Sequence, residues 1–198
     1  VDAGTIWGED VEAAASRAAV LREFGVTWLE EPFVVGATTA YRQLAPRVRP
    51  VQLAGGEGCH TPYMALHLLE HAALGFIQID TGRIGGITAA HTVAMAAAAR
   101  GVAFVNHTFT SHLALSASLQ PYVGLAEHHI CEYPVELTPL ARDLTRSHLA
   151  LDANGEISVP DAPGLGIEPD VAAIANYLVD VEIKVGGRLL YRTPALVA

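Results

Sequence analysis

Six polar residues recur at nearly constant intervals: Asp2, Glu30, Glu57, Asp80, His107 and Glu132, separated by 28, 27, 23, 27 and 25 positions. Each ends or follows a short apolar run. The first three are acids, and three carboxylates brought to one point repel one another unless a cation neutralises them. An all-oxygen donor set suits a hard divalent ion, and Mg²⁺ usually keeps positions free for water and substrate. Asp2, Glu30 and Glu57 are therefore the candidate metal ligands. Zinc would prefer His or Cys. The nine histidines are scattered, and the rings of the adjacent pair His128–His129 cannot both face one site in a strand.

Asp80 and His107 suggest proton transfer. A carboxylate bonded to one ring nitrogen fixes the imidazole tautomer and raises the basicity of the other nitrogen, which makes a general base for a carbon acid. Glu132, kept protonated by its surroundings, would donate a hydrogen bond to a developing enolate oxygen. Any one of these acids taken alone reads more simply as a helix cap or a solvated side chain. Their repetition at equivalent places is what favours a site.

The elements between them alternate. Helical spacing of apolar residues runs from Asp10 to Phe24, Thr38 to Leu44, Pro62 to His71, Thr88 to Arg100 and Leu113 to Leu119. Short β-rich runs precede the polar residues: Val26–Leu29, Val51–Ala54, Phe76–Ile79, Val102–Val105 and Ile130–Cys131. Alternating strands and helices predict a parallel sheet with crossover helices. A unit of this length fits an α/β barrel, where about 250 residues make eight units and the active site lies at the C-terminal ends of the strands. An open doubly wound sheet also alternates, but no Gly-x-Gly-x-x-Gly follows any strand. The rhythm lapses near Thr138. Beyond it the sequence predicts two short strands across 151–157, a helix over 169–177 and a hairpin turning at Gly186–Gly187. The division is a partial barrel over residues 1–137 and a C-terminal segment over 138–198.

Composition sets outer limits. With 51% hydrophobic and 17% charged residues among 198, a large core is available. Twelve basic against 21 acidic side chains give a net charge of −9, which argues against a nucleic-acid partner. Cys59 and Cys131 form no disulfide framework, which fits a reducing cytoplasm. The alanine-rich stretch Thr88–Ala99 is too short to span a membrane.

At these residues the sequence resembles the enolase superfamily, and within it the mandelate racemase group. The motifs are Val1-Asp2-Ala3, Trp28-Leu29-Glu30-Glu31-Pro32, Gly56-Glu57, Ile79-Asp80-Thr81-Gly82-Arg83-Ile84-Gly85-Gly86-Ile87-Thr88, Asn106-His107 and Glu132-Tyr133-Pro134. The resemblance covers roughly residues 1 to 135, and Val181–Pro194 is similar to the family's C-terminal return segment. It implies a (β/α)₇β TIM-type barrel with a capping domain, and a Mg²⁺-assisted removal of the proton α to a carboxylate through an enediolate. It implies Asp2, Glu30 and Glu57 as ligands, His107 as base or acid, Asp80 as its partner and Glu132 as a hydrogen-bond donor. Arg83 and Asn106 fall at substrate-binding positions. A small carboxylate substrate and a homo-oligomer are further implications. Gly4 stands where many relatives carry Asn, and Arg83 where Lys is common.

Six rim residues correspond to six of the roughly eight strands of such a barrel. The expectation is a C-terminal portion of a longer chain, neither closed nor fully active without an N-terminal portion that carries a Lys base. Dehydration of a sugar acid is the favoured reaction, by analogy with similar sequences. The alternatives are racemisation or epimerisation of a 2-hydroxy acid, and a metal-binding barrel fragment without turnover.

Overall fold

The computed structural model of the protein describes residues 1–108, 110–125 and 129–195, so His128 of the histidine pair lies outside them. The first helix, α1 (Val11–Glu23), starts where the Asp10 carboxylate accepts the Ala13 N–H at 3.0 Å, and it buries Ala14 and Ala18. Strand β1 (Trp28–Glu30) leads to α2 (Thr38–Val48), which buries Ala40, Tyr41, Leu44 and Val48. This helix runs a turn past its expected end at Leu44 and contains Pro46. The proline forgoes one backbone hydrogen bond, which the buried apolar face outweighs.

Strand β2 (Gln52–Gly55), α3 (Pro62–His71), β3 (Phe76–Asp80), α4 (Ile87–Ala98), β4 (Ala103–His107) and α5 (His112–Leu119) continue the alternation. Helix α3 opens on Thr61, whose hydroxyl accepts the Met64 N–H at 3.3 Å, with Pro62 in the first turn, where its missing N–H costs nothing.

The strands form one parallel sheet in the order β1-β2-β3-β4. Register and pleat divide it into two faces. Leu29, Leu53, Ile77, Ile79 and Phe104 join the helices in the main core. The opposite face carries Trp28, Ala54, Phe76, Ala103 and Val105 as a smaller apolar cluster. Glu30, Asp80 and His107 follow that second face to its C-terminal edge.

Six strands were expected and four form. Asp2 contributes a single parallel bridge to Glu30. The segment at Glu132 is no strand, because the side-chain amide of Asn106, rather than a β4 peptide, pairs with the Glu132 backbone. The described residues thus make an α/β parallel sheet that is open, not a closed barrel.

The chain divides into two compact units, residues 1–108 with 117–132 and residues 109–116 with 133–198, the boundary falling within α5. In the second unit, α6 (Pro139–Asp143) and α7 (Val171–Ala175) are short, and α7 fills only the middle of the helix expected over 169–177. The strands expected across 151–157 are absent. There the Asp152 carboxylate accepts from the Asn154 and Glu156 N–H groups and closes a turn. The hairpin does form: β5 (Glu182–Val185) pairs antiparallel with β6 (Arg188–Arg192) around Gly186 and Gly187, both at positive φ. Among the described residues no helix is long and apolar enough to cross a membrane.

Candidate active site

The strand ends bring most of the candidate residues together within the first unit. Asp80 and His107 occupy paired register positions on β3 and β4. The ring Nδ1 of His107 lies 2.9 Å from Asp80 Oδ2, and its Nε2 lies 3.1 Å from Glu57 Oε2. One imidazole therefore bridges two carboxylates, and it is buried. Burial opposes charge on Asp80. The Arg83 backbone N–H at 2.9 Å and the His107 contact outweigh it, so the carboxyl sits below its ordinary range.

Arg83 closes the group from the loop after β3. Its Nη1 donates to Glu57 Oε1 at 3.0 Å, and its Nε lies 3.8 Å from Asp80 Oδ2. Glu57 follows Gly56, where a side chain is barred: φ is +121°, and a Cβ would stand 2.9 Å from the Gln78 carbonyl oxygen. That close approach of backbones carries Glu57 over the end of β3.

The three acids at Asp2, Glu30 and Glu57 are each held by a local donor. Asp2 Oδ1 accepts the Gly4 N–H at 2.7 Å, and Glu30 Oε2 accepts the Trp28 indole N–H at 3.1 Å. Among the described residues, no three His, Cys, Asp or Glu side chains are gathered tightly enough to hold an ion. The donor chemistry nevertheless suits a hard cation. Burial, then repulsion from Glu57, Asp2 and Glu30, pushes the neighbouring Glu31 carboxyl up to about 7. The smaller, repulsive share of that shift comes from neighbouring carboxylates whose charge a divalent cation would neutralise.

Glu132 is anchored from two sides. Its Oε2 accepts the Thr108 N–H at 2.8 Å, and its Oε1 lies 3.5 Å from Gln78 Nε2. Burial raises its carboxyl above the usual range, against the Thr108 bond, which lowers it. Its backbone is gripped by Asn106, whose Oδ1 accepts the Glu132 N–H at 2.9 Å and whose Nδ2 donates to the Glu132 carbonyl at 3.2 Å. The same amide reaches Ser118 Oγ at 2.9 Å and Tyr122 Oη at 3.0 Å. Asn106 is fully buried, on the helix-facing side of β4. His107 points the other way.

Gln78 belongs to this site although no motif contains it, and so does Trp28, which opens the Trp28–Pro32 motif but carries no expected role of its own. They lie two residues before Glu30 and Asp80, and period-two alternation puts them on the same face. The Oε1 of Gln78 and the Oγ1 of Thr108 are buried without a partner among the described residues.

Residues 1–173 match the family described as Enolase C-terminal domain-like. The chain belongs to the enolase superfamily. Among solved enolase-superfamily structures, a Rhodobacter sphaeroides protein described as a "predicted Mandelate racemase" superposes with a TM-score of 0.92 at 56% identity, over 98% of this chain and 50% of that one. The D-galactarolactone cycloisomerase of Agrobacterium fabrum is 29% identical over 78% of this chain and 42% of its own length. The D-galactonate dehydratase of Variovorax paradoxus is 30% identical over 75% of this chain and 40% of its own. This chain spans about two fifths of the length of such curated relatives. Those relatives are enzymes of the superfamily.

Proposed function

We propose that the chain carries the proton-transfer half of an enzyme that removes the proton α to the carboxylate of a sugar acid and then expels the β-hydroxyl. The observation that carries this reading is the Asp80–His107 contact at the strand ends, with Nε2 of the imidazole turned toward Glu57. Relatives described as D-galactonate, D-xylonate and L-rhamnonate dehydratases favour dehydration.

In this reading Asp80 accepts the Nδ1–H of His107, and the lone pair stands at Nε2 once the proton shared with Glu57 has left with that carboxyl or to solvent. Glu57 must turn from Nε2 before that nitrogen can take the α-proton. Arg83 guides the turn by holding the other oxygen of Glu57. Once protonated, His107 returns its proton to the departing β-hydroxyl. The elements of water leave, and the enol product tautomerises to a 2-keto acid. Glu132, whose carboxyl burial raises above its usual range, donates a hydrogen bond to the substrate carboxylate in its protonated form. Asp2, Glu30 and Glu57 would hold Mg²⁺, which supplies charge neutralisation for the substrate carboxylate. Asn106 acts differently from its expected place beside substrate: its amide is spent on Glu132, so it positions that residue.

The complete barrel of (β/α)₇β type, with residues 1–137 as its later strands and 138–198 returning to a capping domain, belongs to this proposal. So does an upstream segment bearing a Lys base. The test is α-proton exchange in D₂O against a panel of sugar acids, on the chain joined to its upstream sequence. Exchange accompanied by a 2-keto acid product is the expected result, abolished by His107→Asn. Exchange with inversion alone would replace dehydration by racemisation. No exchange despite bound Mg²⁺ would leave a metal-binding module without turnover.

A further inference from the structure

Helix α3 carries a second constellation, far in chemistry from the carboxylate rim. Its last turns read His67-Leu68-Leu69-Glu70-His71. Ala65, Leu68 and Leu69 are buried in the main core, which fixes the helix rotation and turns His67 and His71 outward. The four-residue spacing stacks the two rings on one face. Their centroids lie 4.4 Å apart with the planes at 61°. Among the described residues neither ring has a hydrogen bond or ion pair. Glu70, beside them, is drawn aside by Arg100 at 3.6 Å.

We propose that His67 and His71 form a two-imidazole surface site for a borderline divalent transition metal of the Cu²⁺ and Zn²⁺ class. Two imidazoles at this spacing on a helix can reach one ion with metal–nitrogen distances near about 2.0–2.1 Å, as in helical zinc motifs. The helix already fixes the spacing of the two residues, so the second nitrogen binds as an intramolecular ligand. Solvent fills the remaining positions. Neutral nitrogen donors hold Mg²⁺ poorly and Cu²⁺ best among the divalent first-row ions. The molecule therefore sorts metals by hardness: oxygen donors at the strand ends, nitrogen donors on the outer face of α3. This site does not rest on the dehydratase reading.

The experiment is a Cu²⁺ titration of the protein in excess Mg²⁺, followed by calorimetry and by the nitrogen hyperfine pattern in electron paramagnetic resonance. The expected result is one tight equivalent showing two nitrogen ligands. His67→Ala and His71→Ala should each weaken it about 10- to 100-fold, and the double variant should be little worse than either alone, because a chelate is lost with its first arm. Both side chains are exposed, so thermal unfolding of the variants should match the parent. His67→Gln serves as a second check on folding. Binding no tighter than about 1 mM, loss from only one of the two substitutions, or an equivalent that disappears with Glu57→Gln instead would overturn the proposal.

Discussion

At the scale of single residues, Glu132 and Asn106 are best considered together. The buried Glu132 carboxyl is raised above its ordinary value, so folding favours its neutral form. The stability this contributes is fully present below the unfolded value near 4.5 and is lost as the pH rises through the folded value. Urea denaturation at pH 5 and pH 8 should therefore show a decline that Glu132→Gln makes shallower, since the amide cannot ionise. An unchanged pH slope in that variant would refute a neutral Glu132. Replacing Asn106 by Ala strips the Glu132 backbone of both partners and orphans buried groups, a cost on the order of 3 kcal/mol. We expect α-proton exchange to fall about 10- to 100-fold through misplacement of Glu132. Combined with Glu132→Gln, Asn106→Ala should add little further loss, which a purely structural effect would not predict. Asn106 also shows what sequence reading left out. Its neighbour His107 was rightly placed at a strand end, but adjacent strand residues face opposite sides. Asn106 and His107 are adjacent on β4 and cannot share a face, so Asn106 turns to the helices.

At the scale of elements, the strand ends depend on one backbone approach. Gly56 has φ +121° and leaves 2.9 Å for a Cβ against the Gln78 carbonyl. Gly56→Ala should cost about 1–3 kcal/mol in strain and shift Glu57 away from Arg83 and His107. Chemical denaturation gives the first quantity, and the loss of Mg²⁺ affinity by calorimetry gives the second. An alanine variant with wild-type stability would contradict the geometry. The alternation of α1 to α5 with β1 to β4 was legible because apolar periodicity, caps at Asp10 and Thr61, and Pro62 all agree locally. The strands expected at Asp2 and Glu132 do not form. Ile130–Cys131 has β-rich chemistry, yet its backbone partner is a side chain on β4, and no local pattern in 130–132 encodes that substitution.

At the scale of the whole molecule, apolar surface remains open. Ile183, Val185, Leu190 and Tyr191 of the hairpin are 50, 64, 58 and 47% exposed. An open sheet offers unpaired edges as well. The 198-residue chain alone should therefore self-associate in a concentration-dependent way and bind a hydrophobic dye. Light scattering should show a size distribution that shifts to larger species as concentration rises. A monodisperse, dye-silent chain would show that these surfaces need no further partner.

The pairing of Asp80 with His107 has a consequence for how such a protein can change. Their separation is set by two parallel strands in register, not by the connections that follow them. Variation confined to residues 81–86 would alter the surroundings of the rim while the Asp80–His107 pair stays put. A single insertion inside β4 would do the reverse, moving Asn106 into the place of His107 opposite Asp80. Reaction type is thus inherited with the scaffold, and substrate range is free to drift in the loops.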